Sequence, residues 1–184
     1  MDLLLHMDGA RLANAAAALD VPLAALTTDA GVDLLSFGGT KNGLMFGEAM
    51  VILRSELAPY ARFVRKQLLQ LNSKMRFCAA QFVALLEGDL WRENAGNANA
   101  MASRLRDAVE SIDGVEVVYP VEANAVFARL ERAAIDRLIA AAPGDHPFYI
   151  WDEAEGVARW MCSWDTSADD VDEFVRAVAA AVRA

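Results

Sequence analysis

The sequence predicts an α/β protein with a mainly parallel sheet in its first part and a small α+β domain at its C-terminal end. Short apolar runs alternate with helical stretches over the first 56 residues. A helical connector rich in cations follows, and short strands mix with helices after residue 93. These three observations predict domains at 1–56 and 93–184, joined by connecting helices at 57–92.

Composition limits the class of protein and its partners. The 184 residues are 55% hydrophobic and carry a formal net charge of −9, which excludes a disordered tail and argues against a nucleic-acid partner. No apolar run approaches the roughly 18 residues of a membrane-spanning helix, so we expect no membrane partner. Cys78 and Cys162 lie far apart without a CxxC pattern. Such cysteines fit reduced thiols, which predicts a cytoplasmic protein.

The first domain begins with a predicted strand, helix and strand. Leu3 to Met7 is a short apolar run, the alanine-rich stretch from Arg11 to Leu19 favours helix, and Val32 to Phe37 is a second apolar run. This order predicts a βαβ unit with parallel pairing. Ala49 to Leu53 is a third strand candidate. The nearly continuous apolar character of these runs predicts a sheet covered on both faces.

The connector carries apolar residues at helical spacing with cations between them. Pro59 suits the first turn of a helix, and Gly88 suits a helix end. The pattern predicts one long helix or a helix pair.

The last domain alternates predicted helices and strands. The helices are Asn94 to Ile112, Ile135 to Ala141, which Pro143-Gly144 ends, and Ala168 to Arg183, which Ser167 or Thr166 caps. The strands are Val115 to Tyr119, Ala125 to Leu130, Phe148 to Trp151 and Val157 to Cys162.

Two residues at predicted strand ends could carry chemistry. Asp8 follows the first strand in HMDGAR, and Lys41 follows the second in SFGGTKNG. Ligands of open parallel sheets bind outside the carboxyl ends of strands, so we expect both side chains at one crevice. A lysine whose surroundings lower its pKa can form a Schiff base, and a buried aspartate can keep a pyridinium nitrogen protonated. Together they are the protein side of pyridoxal phosphate chemistry.

Other interpretations of these residues remain open. An Asp-Gly pair after a strand is most often a turn, and a lone lysine in a glycine-rich loop is usually solvated or touches a phosphate. The phosphate-binding P-loop pattern fails because Thr40 precedes Lys41 and Asn42 follows it. We interpret His6 as a core histidine and His146 as part of a solvated turn. No His, Cys or carboxylate cluster has metal-ligand spacing.

The motif pair HMDGARLANA and SFGGTKNG resembles the threonine aldolases, pyridoxal-phosphate enzymes of the aspartate-aminotransferase fold type. The resemblance is closest to the low-specificity L-threonine aldolases and the related β-eliminating lyases. The segments SKMRFCAAQ and ARWMCSWDTSADDVDEF also resemble that family, so the likeness covers essentially the whole chain.

The resemblance implies a role for each matching residue. Lys41 matches the lysine that bonds the cofactor, and Asp8 matches the aspartate that pairs with the pyridinium nitrogen. Arg11 matches an arginine that lies against the cofactor. Arg159 matches the arginine that binds the amino-acid carboxylate, which suits a planar guanidinium fork. The implied reaction cleaves threonine-like β-hydroxy amino acids to glycine and an aldehyde, in a dimer or tetramer of identical chains.

Some residues have a competing interpretation. From the sequence alone, Arg159 is equally well interpreted as a surface arginine at a strand edge. Lys74 and Arg76 could face the cofactor phosphate, although a solvated helix face is the better interpretation.

The chain departs from the family pattern in length, and the resemblance implies that residues 1–56 are the C-terminal part of a mainly parallel large-domain sheet. Family members are about twice as long, and the part that precedes the aspartate-bearing strand contains the phosphate-cradling Gly-Thr turn and a ring-stacking residue, usually histidine. Without them we expect an exposed apolar sheet edge, weak pyridoxal phosphate binding and low activity of this chain alone. The alternatives are another reaction of the same cofactor, such as β-elimination, transamination or desulfuration, and a cofactor-free fragment that serves in assembly or has no function.

Overall fold

Two structural units follow each other along the chain, Met1–Ala95 and Gly96–Ala184. The structure is a computed structural model that describes residues 3–141 and 147–184. Helices and strands mix in both units, which confirms the predicted α/β class. None of the helices within these ranges has the length and apolar character needed to cross a membrane.

The first unit contains a three-stranded sheet in the order β1-β2-β3. Its elements are β1 His6–Gly9, α1 Leu12–Leu19, β2 Leu34–Gly38, β3 Glu48–Ile52, α2 Ala58–Gln67 and α3 Arg76–Leu86. As predicted, β1 and β2 pair in parallel across α1. In contrast, β3 pairs antiparallel with β2. The connection between β2 and β3 is too short for a parallel crossover, which needs a dozen or more residues.

The first sheet is covered on one face within the described residues, and not on both as the sequence predicts. Leu35 and Phe37 of β2 are buried on the covered face, where they pack with Leu12 of α1. The alternate positions of the strands face the other way. Asp8 is exposed there, and Met50 is 58% exposed. An apolar run therefore does not reveal whether the chain itself covers both sides of the strand.

The connector forms a helix pair, α2 and α3, with Pro59 in the first turn of α2 and Gly88 after the end of α3. Many of its apolar side chains are exposed. We call the following set the connector apolar surface: Tyr60, Phe63, Val64, Leu68, Leu69, Leu71, Phe77, Val83 and Leu86.

The second unit is a four-stranded antiparallel sheet in the order β4-β5-β7-β6. Its elements are β4 Glu116–Val117, β5 Ala125–Arg129, α5 Arg132–Ala141, β6 Tyr149–Asp152, β7 Val157–Met161 and α6 Ala168–Arg183, together with most of α4 Leu90–Val109. One face of the sheet packs with α4, α5 and α6 around a single core. The predicted helix stop at Pro143-Gly144 and the predicted turn at His146 lie outside the described residues.

The N-terminus of α6 is capped as the sequence predicts. The Ser167 hydroxyl accepts a hydrogen bond from the backbone N–H of Asp170 at 3.2 Å. In return, the Asp170 carboxylate accepts one from the backbone N–H of Ser167 at 2.8 Å. This reciprocal capping box satisfies two N–H groups that the helix cannot pair internally.

Candidate functional site

Asp8 lies within the last residues of β1, directly opposite Ser36 of β2. Its Oδ1 atom accepts a hydrogen bond from the backbone N–H of Ala10 at 3.0 Å. Among the residues that the structure describes, Oδ2 accepts none. The side chain is exposed, whereas the sequence predicts a buried aspartate. It projects from the face of the sheet that the described residues leave uncovered. One carboxylate oxygen is therefore available to a ligand.

Lys41 is the middle residue of a 3₁₀ turn, Thr40–Asn42, which follows β2. The turn is closed by Thr40, whose hydroxyl accepts a hydrogen bond from the backbone N–H of Gly47 at 3.1 Å. Gly43 then leaves the turn at φ 107°, a conformation that favours glycine. Lys41 is exposed and has neither a hydrogen bond nor an ion pair in the described part of the chain. Its amine is therefore available on a well-defined turn.

A close backbone contact joins the aspartate motif to the lysine motif. A Cβ atom at Gly38 would lie 2.7 Å from both Cα and O of Ala10. A Cβ atom at Gly39 would lie 2.9 Å from the carbonyl oxygen of Gly47. Only glycine fits at these distances, so the glycine pair lets the end of β1 approach the start of the lysine turn.

Asn42 connects the lysine turn to the first turns of α4. Its side-chain Nδ2 donates to the carbonyl oxygen of Trp91 at 2.9 Å. In the opposite direction, the Nδ2 of Asn94 donates to the carbonyl oxygen of Asn42 at 2.9 Å. Asn42 is 3% exposed, and its Oδ1 atom has no hydrogen-bond partner within the described residues. Sequence reasoning missed this residue, because its partners are distant in the chain and no local pattern marks it.

Arg11 and His6 flank Asp8 in the sequence. Arg11 occupies the N-cap position of α1, where it is partly buried. His6 is exposed and its Nε2 atom lies 2.9 Å from the Ser36 hydroxyl, so the interpretation as a core histidine is wrong. The physical reason is the alternation of β1, which places His6 and Asp8 on the same uncovered face.

Arg159 lies in β7, in the second unit, and is paired on both sides. Phe127 of β5 and Tyr149 of β6 stand opposite it, so the strand-edge interpretation is wrong. Its neighbours in sequence, Ala158 and Trp160, belong to the buried core, and Arg159 faces away from that core. The guanidinium carbon lies 5.1 Å from the ring centre of Trp151 and 5.6 Å from that of Tyr149. Aromatic faces at this distance attract the cation and hold its plane.

Lys74 and Arg76 fit the solvated face that the sequence favours. Lys74 is exposed in the turn before α3, with φ 64°. Arg76 is exposed at the start of α3, where its guanidinium carbon lies 4.7 Å from the ring centre of Phe77.

The chain is similar to threonine aldolases over nearly its whole length. The low-specificity L-threonine aldolase of Pseudomonas aeruginosa is 46% identical over 172 residues, which cover 94% of this chain and 49% of that protein. The enzyme of the same name from a Pseudomonas species is 44% identical over 180 residues, which are 98% of this chain and 50% of that protein. The chain thus spans about half the length of the curated relatives it matches.

Solved structures agree with the sequence matches. The threonine aldolase of Leishmania major superposes with a TM-score of 0.84 at 32% identity, over 98% of this chain and 52% of that one. The tryptophan decarboxylase of Catharanthus roseus superposes with a TM-score of 0.71 at 16% identity, over 98% of this chain and 44% of that one, and shows the fold alone.

A family profile decides the relationship. The profile of the beta-eliminating lyases matches residues 1–133. Because this match spans well over half of the chain, the protein belongs to the beta-eliminating lyase family.

Proposed function

We propose that the protein is a pyridoxal-phosphate-dependent carbon–carbon lyase of the threonine aldolase type, which cleaves threonine-like β-hydroxy amino acids to glycine and an aldehyde. The proposal takes its reaction from the relatives named as threonine aldolases. The observation that carries it is the backbone contact of Gly38 with Ala10, which joins the motif of Asp8 to the motif of Lys41.

The residues present fit pyridoxal phosphate. Asp8 offers a carboxylate oxygen with no partner in the described residues, and Lys41 offers an equally unengaged amine. Gly38 and Gly39, which lie between Asp8 and Lys41 in the sequence, carry no side chains. When bound, the cofactor supplies an electron sink for the bond that breaks.

Four residues of the chain would then each have a separate role at the site. Asp8 would hold the pyridine nitrogen in its protonated form, and Lys41 would provide the amine that anchors the cofactor aldehyde. Arg11 would orient the substrate end of the site. Arg159 would bind the substrate carboxylate with two parallel hydrogen bonds, which fixes the orientation of the scissile bond.

The proposal includes a homo-oligomer, a dimer or tetramer, that acts on a small amino-acid substrate in the cytoplasm. The connector apolar surface supports a second copy of the chain as the occupant. Arg62, Arg65 and Lys66 of α2 border this surface, and their charge complements a chain with a net charge of −9. Native mass measurement tests this part, and a monomer at every concentration would contradict it.

The lysine assignment is tested by trapping. The protein is treated with pyridoxal phosphate and borohydride, and the labelled peptides are identified by mass. We expect the Lys41 peptide to carry most of the label, and Lys41→Ala to lose it. Lys66→Ala is the matched control, because Lys66 is exposed on α2 and should not contribute. Equal labelling of Lys41→Ala and the unchanged chain would contradict the proposal.

The name of the matching family favours β-elimination as a second candidate function. Asp8 and Lys41 serve either reaction, so the residues do not distinguish them. A substrate panel separates the candidates, because aldolase cleavage releases an aldehyde and glycine, whereas β-elimination releases ammonia and a keto acid.

A further inference from the structure

We propose that Asn42 is a positioning residue for Lys41, an inference that rests on the proposed function. It anchors the lysine turn to the first turns of α4 and so fixes the direction from which the lysine amine meets its ligand. Consecutive residues of the turn lie in opposite environments, with Lys41 exposed and Asn42 buried. The buried Asn42 therefore determines the position of the exposed Lys41.

Three hydrogen bonds make the anchor. The side chain of Asn42 donates to the carbonyl oxygen of Trp91. Its backbone carbonyl accepts from the side chain of Asn94. Its backbone N–H donates to the carbonyl oxygen of Gly39 at 3.0 Å, which closes the turn on itself. Asn42 is thus held by its side chain and by both of its backbone groups.

The packing around the anchor leaves the turn little freedom. Trp91 and Leu44 are buried in one apolar cluster with Ala95. The next residue of the turn, Gly43, continues at a positive φ, and the preceding glycines leave no room for a Cβ atom. The lysine backbone is consequently fixed from the strand side and from the helix side. A reacting group gains from such preorganisation because less freedom is lost when its ligand binds.

The Oδ1 atom of Asn42 supports a role beyond stability. It is buried and has no partner within the described residues. An unsatisfied buried acceptor is costly, and a purely structural position would be filled better by an apolar residue. Asparagine instead supplies the amide that donates to Trp91 and so sets the direction of the turn.

Asn14 offers a matched control in the same unit. It is 4% exposed, and its Nδ2 donates to the carbonyl oxygen of Ala95 at 3.4 Å. Asn14→Ala therefore removes the same kind of bond to the same helix, one turn further along, but leaves the lysine turn untouched.

The test compares labelling of three lysines in one molecule. Pyridoxal phosphate and borohydride are applied to the full chain, and the ratio of the Lys41 adduct to the adducts at Lys66 and Lys74 is measured by mass. The visible circular dichroism of the bound cofactor, per adduct, reports whether it is held in one orientation. We expect Asn42→Ala to lower the ratio about tenfold, the effect of one ordinary hydrogen bond, and to reduce the dichroism. Asn14→Ala should change neither.

Asn94→Ala keeps the test decisive if Asn42→Ala fails to fold. Alanine favours a helix interior, so this variant removes the reciprocal bond while the helix itself gains stability. We expect a smaller change in the same direction. Equal effects of the Asn14 and Asn42 variants, or no effect of either variant at the anchor, would overturn the positioning role alone. A lack of preference for Lys41 in the unchanged chain would overturn this inference and the proposed function together.

Discussion

The two units bury their apolar residues very differently. The second unit has one continuous core, in which Val126, Ile135, Leu138 and Val178 are 0% exposed. The first unit has two smaller clusters, one uncovered sheet face and the connector apolar surface. Because burial of apolar area is the main stabilising term, we expect more of the stability to come from the second unit. Asp8, Arg11 and Lys41 lie in the first unit, whose buried apolar clusters are smaller.

The largest expected effect is a core truncation in the second unit. Leu138 lies in α5 and is 0% exposed, so Leu138→Ala leaves a cavity in the core. We expect a loss of about 3 kcal/mol in the free energy of unfolding. Urea unfolding followed by tryptophan fluorescence measures it.

A leucine of the first unit is the control for that change. Leu19 is the last residue of α1 and is 61% exposed, so Leu19→Ala should change stability by less than about 0.5 kcal/mol. Equal losses for the two leucines would remove the contrast between the units.

The next effect comes from a buried thiol. Burial raises the pKa of Cys162 from 9.0 to about 11. The folded state holds the thiol proton more tightly than the unfolded state. The contribution of the thiol to the free energy of unfolding is therefore complete below pH 9 and is lost as the pH rises towards 11. We expect the loss to amount to about 2 to 3 kcal/mol.

The decisive measurement is the free energy of unfolding at several alkaline pH values. Cys162→Ala should flatten this part of the pH dependence, whereas Cys78→Ala, which alters a partly buried thiol of the first unit, should retain it. A steep dependence that persists in Cys162→Ala would assign the effect to other groups.

The smallest effect is the loss of a helix cap. Ser167→Ala removes the hydroxyl that accepts from Asp170, and we expect a cost of about 1 kcal/mol. Thermal unfolding of Ser167→Ala tests this cost, and an unchanged midpoint of unfolding would contradict it.

Local sequence signals predicted the helix bounds well. They predicted less well the features that depend on contacts between distant parts of the chain. The bounds of α6 match the prediction because a capping serine, acidic first-turn residues and a helical apolar period all agree. The strand β1 runs from His6 to Gly9 and not from Leu3 to Met7. An apolar run shows where a strand can form, but its pairing with β2 decides which residues join the sheet.

The same division applies to the candidate site. The position of both motifs at the ends of predicted parallel strands predicted that the ends of β1 and β2 meet, and the contact of Gly38 with Ala10 joins them. The exposure of Asp8 and the anchor at Asn42 could not be predicted, because both depend on what distant parts of the chain place beside them. The assignments of Asp8, Arg11, Lys41 and Arg159 stay predictions until the labelling and substrate experiments are done.

The continuity of α4 has a practical consequence for producing the second unit separately. The division between the units falls between Ala95 and Gly96, inside this helix. An expression fragment that begins at Gly96 would lose Leu90 to Ala95 and start with a frayed helix end. A fragment that begins at Gly88 keeps the whole helix, and is the better choice for isotope labelling and assignment of the second unit.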